Sequence, residues 1–214
     1  MYYQAVFACV LICVTPIAYA HVPYFEHRDY SERRPCIVRK NIEQSKAFYS
    51  WLSREDSSSS DIDVYTFSIS NRPVRIYVEL IVPVIEEYYA EFVPWYALVG
   101  PGLEQPSQVL PFDLPVGYGA IVKENVLPGE SRDTFYEPFG GKSYYEGPIL
   151  DVNISQEGDY AVYCWDPYEQ GGDYVMVIGK REIFGPLDII RAFIYTPLIR
   201  LDNELHLPPE AFGV

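Results

Sequence analysis

The stretch Gly158-Asp-Tyr-Ala-Val-Tyr-Cys-Trp165, followed after Asp166-Pro-Tyr-Glu-Gln-Gly171 by Gly172-Asp-Tyr-Val-Met-Val-Ile178, decides the fold. Each half sets a conformationally permissive glycine and a polar turn residue before a short apolar run, the pattern of a strand entered through a turn. The pair predicts a hairpin, and the repeat is too short to be a domain repeat. Working back along the chain, Asp63 to Ile69 alternates, with Tyr65, Phe67 and Ile69 on one face. Val74 to Val82 alternates again, with Ile76, Val78, Leu80 and Val82 together; period two marks half-buried strands. Asn71-Arg-Pro73 lies between them, so these two also read as a hairpin.

Further strands are expected at Phe48 to Trp51, Trp95 to Val99, Tyr118 to Val126, Thr134 to Glu137 and Leu150 to Ile154. Ser53 to Asp61 breaks the pattern as a loop, and prolines 106, 111 and 115 make an extended connection. Glu86 to Glu91 suits a short helical turn or a loop. After Arg181 the apolar positions 187, 190, 193 and 194 suit one face of a short helix. Short strands with regular turn signals and little helix predict an all-β, jelly-roll-like β-sandwich with a short C-terminal helix. The expected division is a signal peptide over 1–20, an irregular arm over 21–44, the sandwich over 45–185 and a tail with the helix over 186–214.

The chain opens with an apolar run, Ala5 to Val14, and the small-x-small pattern Ala18-Tyr-Ala20. That is a signal-peptide core and cleavage site, although no Lys or Arg precedes it. Cleavage would expose His21 and leave 194 of the 214 residues, enough for one domain with a substantial core. The expected location is therefore extracellular, with no transmembrane segment after cleavage. A net charge of −14 argues against nucleic acid and anionic membrane surfaces as partners. Cys9 and Cys13 leave with the signal; Cys36 and Cys164 remain as a pair that an oxidising compartment can bridge, or as two free thiols. Asn153-Ile-Ser155 is a glycosylation sequon.

Two sets of segments resemble a known family. Asp61-Ile-Asp-Val-Tyr-Thr-Phe67, Arg75-Ile-Tyr-Val78 and the two Gly-Asp-Tyr runs resemble the pre-peptidase C-terminal type of β-sandwich domain. Ala97-Leu-Val-Gly-Pro-Gly-Leu103, Tyr136-Glu-Pro-Phe-Gly-Gly141 and Ser143-Tyr-Tyr145 are similar to uncharacterised secreted proteins related to that domain. The resemblance, over roughly residues 45 to 185, implies an accessory sandwich of the kind attached to secreted peptidases and linked to substrate binding or calcium. No peptidase domain accompanies it, and Pro83 to Pro148 is longer and richer in Pro and Tyr than the simple domain.

Catalysis has little support in the residues. His21, His27 and His206 lie in flanking segments, and no Gly-x-Ser-x-Gly elbow occurs, so no enzyme is expected. No cofactor is expected, with calcium the open exception. Asp56, Asp61 and Asp63 around one loop, and Asp166, Glu169 and Asp173 around another, offer hard oxygen ligands, without EF-hand spacing. A mature N-terminal His21 with His27 offers a copper-binding alternative, a nitrogen brace for an oxidative enzyme. Trp95, Tyr136, Tyr144, Tyr145 and Trp165 either line a ligand face or pack within the sheets. The leading expectation is a secreted, non-enzymatic binding module for a glycan or an extracellular protein. A self-assembling structural protein is the third reading.

Overall fold

The computed structural model describes residues 21–39, 41–53, 61–70, 73–85 and 89–201. These residues form an all-β sandwich of two sheets, with a helix over Pro186–Leu201. Eleven strands, taken in chain order, are β1 Val22–Phe25, β2 Cys36–Ile37, β3 Lys46–Leu52, β4 Ile62–Ile69, β5 Val74–Pro83, β6 Trp95–Pro101, β7 Tyr118–Lys123, β8 Thr134–Glu137, β9 Lys142–Ile154, β10 Gly158–Trp165 and β11 Gly172–Ile178. Sheet A runs β1-β3-β11-β5-β9-β8 and sheet B runs β2-β4-β10-β6-β7.

Alternation fills the space between the sheets as the sequence predicts. Tyr65, Phe67 and Ile69 of β4 face Ile76, Val78, Leu80 and Val82 of β5 in one buried core, joined by Tyr160 and Tyr174 of the two Gly-Asp-Tyr runs. Gly172 is needed at its turn: its φ is 152°, and a Cβ there would lie 2.6 Å from the Tyr89 ring.

Neither expected hairpin forms. β4 pairs with β10 and β5 with β11, so the consecutive strands of each supposed hairpin belong to opposite sheets. Both members of each pair bury one face, and that burial is met equally well by crossing the sandwich as by turning within one sheet. The segment 21–44 is not wholly irregular either. β1 adds in parallel to β3 at the edge of sheet A, and β2 adds in parallel to β4 at the edge of sheet B.

Helix α1, Pro186–Leu201, starts where its residues direct: proline fits the first helical turn, and the Asp188 carboxylate accepts from Gly185 N at 3.0 Å. Gln44 Nε2 bonds the same carboxylate at 3.0 Å and anchors the helix start on the sandwich. Pro197 deletes one hydrogen bond inside the helix. No helix among the described residues is long and apolar enough to cross a membrane.

Candidate functional site

The outer face of sheet A is apolar along its centre. Ala47 and Tyr49 of β3, Val175 and Val177 of β11, and Tyr77 and Ile81 of β5 project away from the main core and form a second cluster with Tyr144 and Ile199. α1 and the turn between β8 and β9 partly roof this floor. Arg200 ties the two roofing elements together by donating to Phe139 O at 2.9 Å and Pro138 O at 3.0 Å. The floor and the β8–β9 turn line a cavity of about 430 Å³.

A bulge decides which tyrosine of β9 enters it. Glu79 pairs with Ile149 but Ile81 pairs with Glu146, so β9 carries an extra residue here. Leu150 and Ile154 therefore point into the main core, while Tyr144, of the same parity, points outward into the cavity. Gly147 makes the bulge feasible, because a Cβ at that position would lie 2.2 Å from Leu80 O.

Within the cavity wall, Tyr144 is 1% exposed and its Oη has no hydrogen-bond partner. The Tyr49 and Tyr144 hydroxyls adjoin closely enough to influence each other's ionisation. Tyr77 Oη donates to Glu79 Oε2 at 2.7 Å, and Lys180 Nζ lies 4.8 Å from the Tyr77 ring centre. Burial raises the Glu79 carboxyl above the ordinary carboxylate range, against the opposing pull of Tyr77 and Lys180. His21 Nδ1 hydrogen-bonds Ser45 Oγ, and burial lowers the imidazole to about 4, so the ring is neutral at neutral pH. A base that weak takes a proton from a hydroxyl poorly, and the Ser45–His21 couple suits binding better than nucleophilic attack. Tyr136 stands at the rim, 63% exposed. The arrangement offers apolar stacking surface, one buried hydroxyl awaiting a partner, and carboxylates with a lysine at the edges.

The five aromatics picked out from the sequence divide between the two sides of the molecule. Tyr136 and Tyr144 line the cavity. Tyr145 packs against the main core, with the Arg132 guanidinium 4.0 Å from its ring centre. Trp95 and Trp165 lie on the outer face of sheet B, their ring centres 6.3 Å apart. Phe112, from the connection between β6 and β7, stacks on Tyr163 at 4.0 Å and meets Trp165 edge-on at 5.8 Å. Leu110 and Leu114 pack beside it, so the chain's own loop covers this aromatic face.

Cys36 and Cys164 are free thiols. The register explains why: Cys36 pairs with Tyr65 and Tyr65 with Val162, which sets the cysteines on strands either side of β4. Two strand spacings are about 9–10 Å, beyond the ~7 Å that a disulfide spans between Cα atoms. Burial raises the Cys36 thiol to about 12 and also raises Cys164. His21 immediately precedes β1 and His27 lies two residues beyond its end.

Asp56, one of the calcium candidates, and His206 both lie outside the described residues. Asp61 accepts from Ser53 N at 2.6 Å, and Asp166 accepts from three backbone N–H groups of its own turn, Tyr168, Gln170 and Gly171. Asp173 accepts from Tyr89 Oη at 2.6 Å. Asp63 instead joins Glu26 and Asp29, with one oxygen of each within 4.8 Å of the others. These are ligand types a hard cation takes. Burial raises Asp63 and Glu26 well above the ordinary range, and protein donors already serve them: Tyr30 N and Trp51 N for Glu26, Tyr174 Oη for Asp63. Asn153 is exposed on β9. Glu26 on the arm and Ser45 beside His21 carried no signal in the sequence, since both depend on which strands the arm joins. No family model matches this chain, and no curated protein matches it significantly.

Proposed function

We propose that the protein is a secreted, non-enzymatic binding module whose ligand is a glycan held on the outer face of sheet A. The observation that carries this reading is the cavity of about 430 Å³ with the unpartnered Tyr144 Oη buried in its wall and Tyr136 exposed at its rim. That volume falls within the roughly 300–1,000 Å³ of small-molecule sites. A sugar ring matches the lining: its C–H face stacks on tyrosine, and its hydroxyls meet the phenol of Tyr144 and the carboxylates and lysine at the edges. Concavity favours a ring-sized ligand over a second protein surface, which needs a broader contact. The apolar run and Ala18-Tyr-Ala20 before His21 support export, and the resemblance to accessory sandwich domains supports binding rather than chemistry.

A glycan array tests the reading. The expected result is retention of at least one class of saccharide, lost in Tyr136→Ala and reduced at least about tenfold in Tyr144→Phe, the worth of one well-made hydrogen bond. Absence of any retained saccharide, or turnover of a polymer by the protein, would overturn it.

A further inference from the structure

We infer that α1 is a self-association surface, and that its occupant is the same helix of a second copy of this chain. One side of the helix is committed to its own sandwich. Ile199 is fully buried, Tyr195 meets Phe25 edge-on at 4.9 Å, and the Arg191 guanidinium lies 4.2 Å from the Tyr24 ring centre. The other side carries Leu187, Ile190, Phe193, Ile194, Leu198 and Leu201, each more than half in water, with Phe193 76% and Leu201 85% exposed. At about 100° per residue these six fall within roughly 140° of the helix circumference, a continuous stripe rather than scattered exposure.

The area matches a dimer. Six such side chains leave about 600 Å² of apolar surface in water, at the upper limit for a monomer. With the polar rim that any contact includes, the total reaches the ~800 Å² per partner of a stable interface. The stripe is also free of charge that would be trapped. The one acid of the helix, Asp188, is buried in its own sandwich, and Arg191 and Arg200 border the stripe while engaged with Tyr24 and with the Phe139 and Pro138 carbonyls. A two-fold axis through the stripe lays each helix along the other, buries no like-charge pair in the seam, and closes the assembly at two copies. The net charge of −14 sets the stripe against an anionic bilayer as the alternative occupant.

Sedimentation of the full secreted chain at micromolar concentration tests this. The expected result is a dimer that tightens with added salt, as screening relieves repulsion between two acidic bodies. Phe193→Glu is expected to weaken it at least about a hundredfold, while Val116→Glu, at a fully exposed position elsewhere, leaves it unchanged. Circular dichroism should show the same strand content in both variants. A monomer at all concentrations overturns the inference, as does a dimer insensitive to Phe193→Glu. So does a monomer that floats with phosphatidylcholine vesicles, or one that dimerises only after residues 202–214 are removed.

Discussion

The two outer faces of the sandwich are built from the same materials and end differently. Sheet A turns Tyr49, Tyr77 and Tyr144 outward; sheet B turns Trp95, Tyr163 and Trp165 outward. Over sheet B the proline-punctuated connection returns Leu110, Phe112 and Leu114 onto the rings, and the aromatics become a satellite core. Over sheet A, α1 covers part of the face through Ile199, and the β8–β9 turn, tied to it by Arg200, borders an open cavity. Among the described residues each face holds one buried donor without a partner, Trp95 Nε1 on one side and Tyr144 Oη on the other. An orphan donor therefore does not by itself mark a site. Tyr144 differs because open space adjoins it.

If sheet B's face is core, the largest effect belongs there. Phe112→Ala removes the stack on Tyr163 and the edge contact with Trp165, and should cost about 3 kcal/mol in a urea unfolding curve with glycan binding unchanged. Loss of binding without loss of stability would exchange the roles of the two faces.

The next effect tests the chemistry of the cavity through pH. His21 is lowered from 6.5 to about 4 by burial, so its neutral form is favoured in the folded state. Its contribution is complete above pH 6.5 and is lost as pH falls toward 4, up to about 2 kcal/mol between pH 7 and 5. His21→Gln should flatten that acid limb in thermal unfolding. Glu26 and Asp63 act in the opposite sense. Raised by burial, they stabilise the fold below the ordinary carboxylate range and withdraw that support as pH rises through their folded values. The paired variant Glu26→Gln with Asp63→Asn should therefore lose less stability than the wild type as pH rises above that range. An unchanged slope in either variant would contradict the burial that the packing assigns to these groups.

The smallest effect sharpens the contrast most. Tyr144→Phe removes a buried hydroxyl that has no partner in the free protein, and should raise stability by about 1 kcal/mol while weakening the ligand. Gain of stability with loss of binding is the signature of a group kept for a ligand. A loss of stability would mean that the hydroxyl already has a partner in the fold.

Much of the architecture was legible in the residues, because alternation reports which side of a strand is buried. Tyr65, Phe67 and Ile69, and Ile76 to Val82, lie in the core as their spacing demands. Alternation is silent on which sheet a strand joins, and so β4 and β5, like β10 and β11, read as hairpins when they cross the sandwich. The arm over 21–44 was illegible for another reason: β1 and β2 are edge strands of four and two residues, too short for a period to show. At the candidate site the sequence supplied Tyr136 and Tyr144 but grouped them with Tyr145, Trp95 and Trp165. Alternation sets Tyr144 and Tyr145 on opposite faces, and the bulge at Gly147-Pro148 decides which of them faces outward, as only strand register reveals. Register likewise keeps Cys36 from Cys164, which composition and count had allowed to pair.

Hydrogen–deuterium exchange with the tightest-binding saccharide from the array separates the two outer faces. New protection is expected in β5, in β9 around Tyr144 and in the β8–β9 turn, with the connection over 103–117 unchanged. Protection confined to that connection and to Trp95 and Trp165, with the outer face of sheet A unaltered, would contradict a glycan site on sheet A.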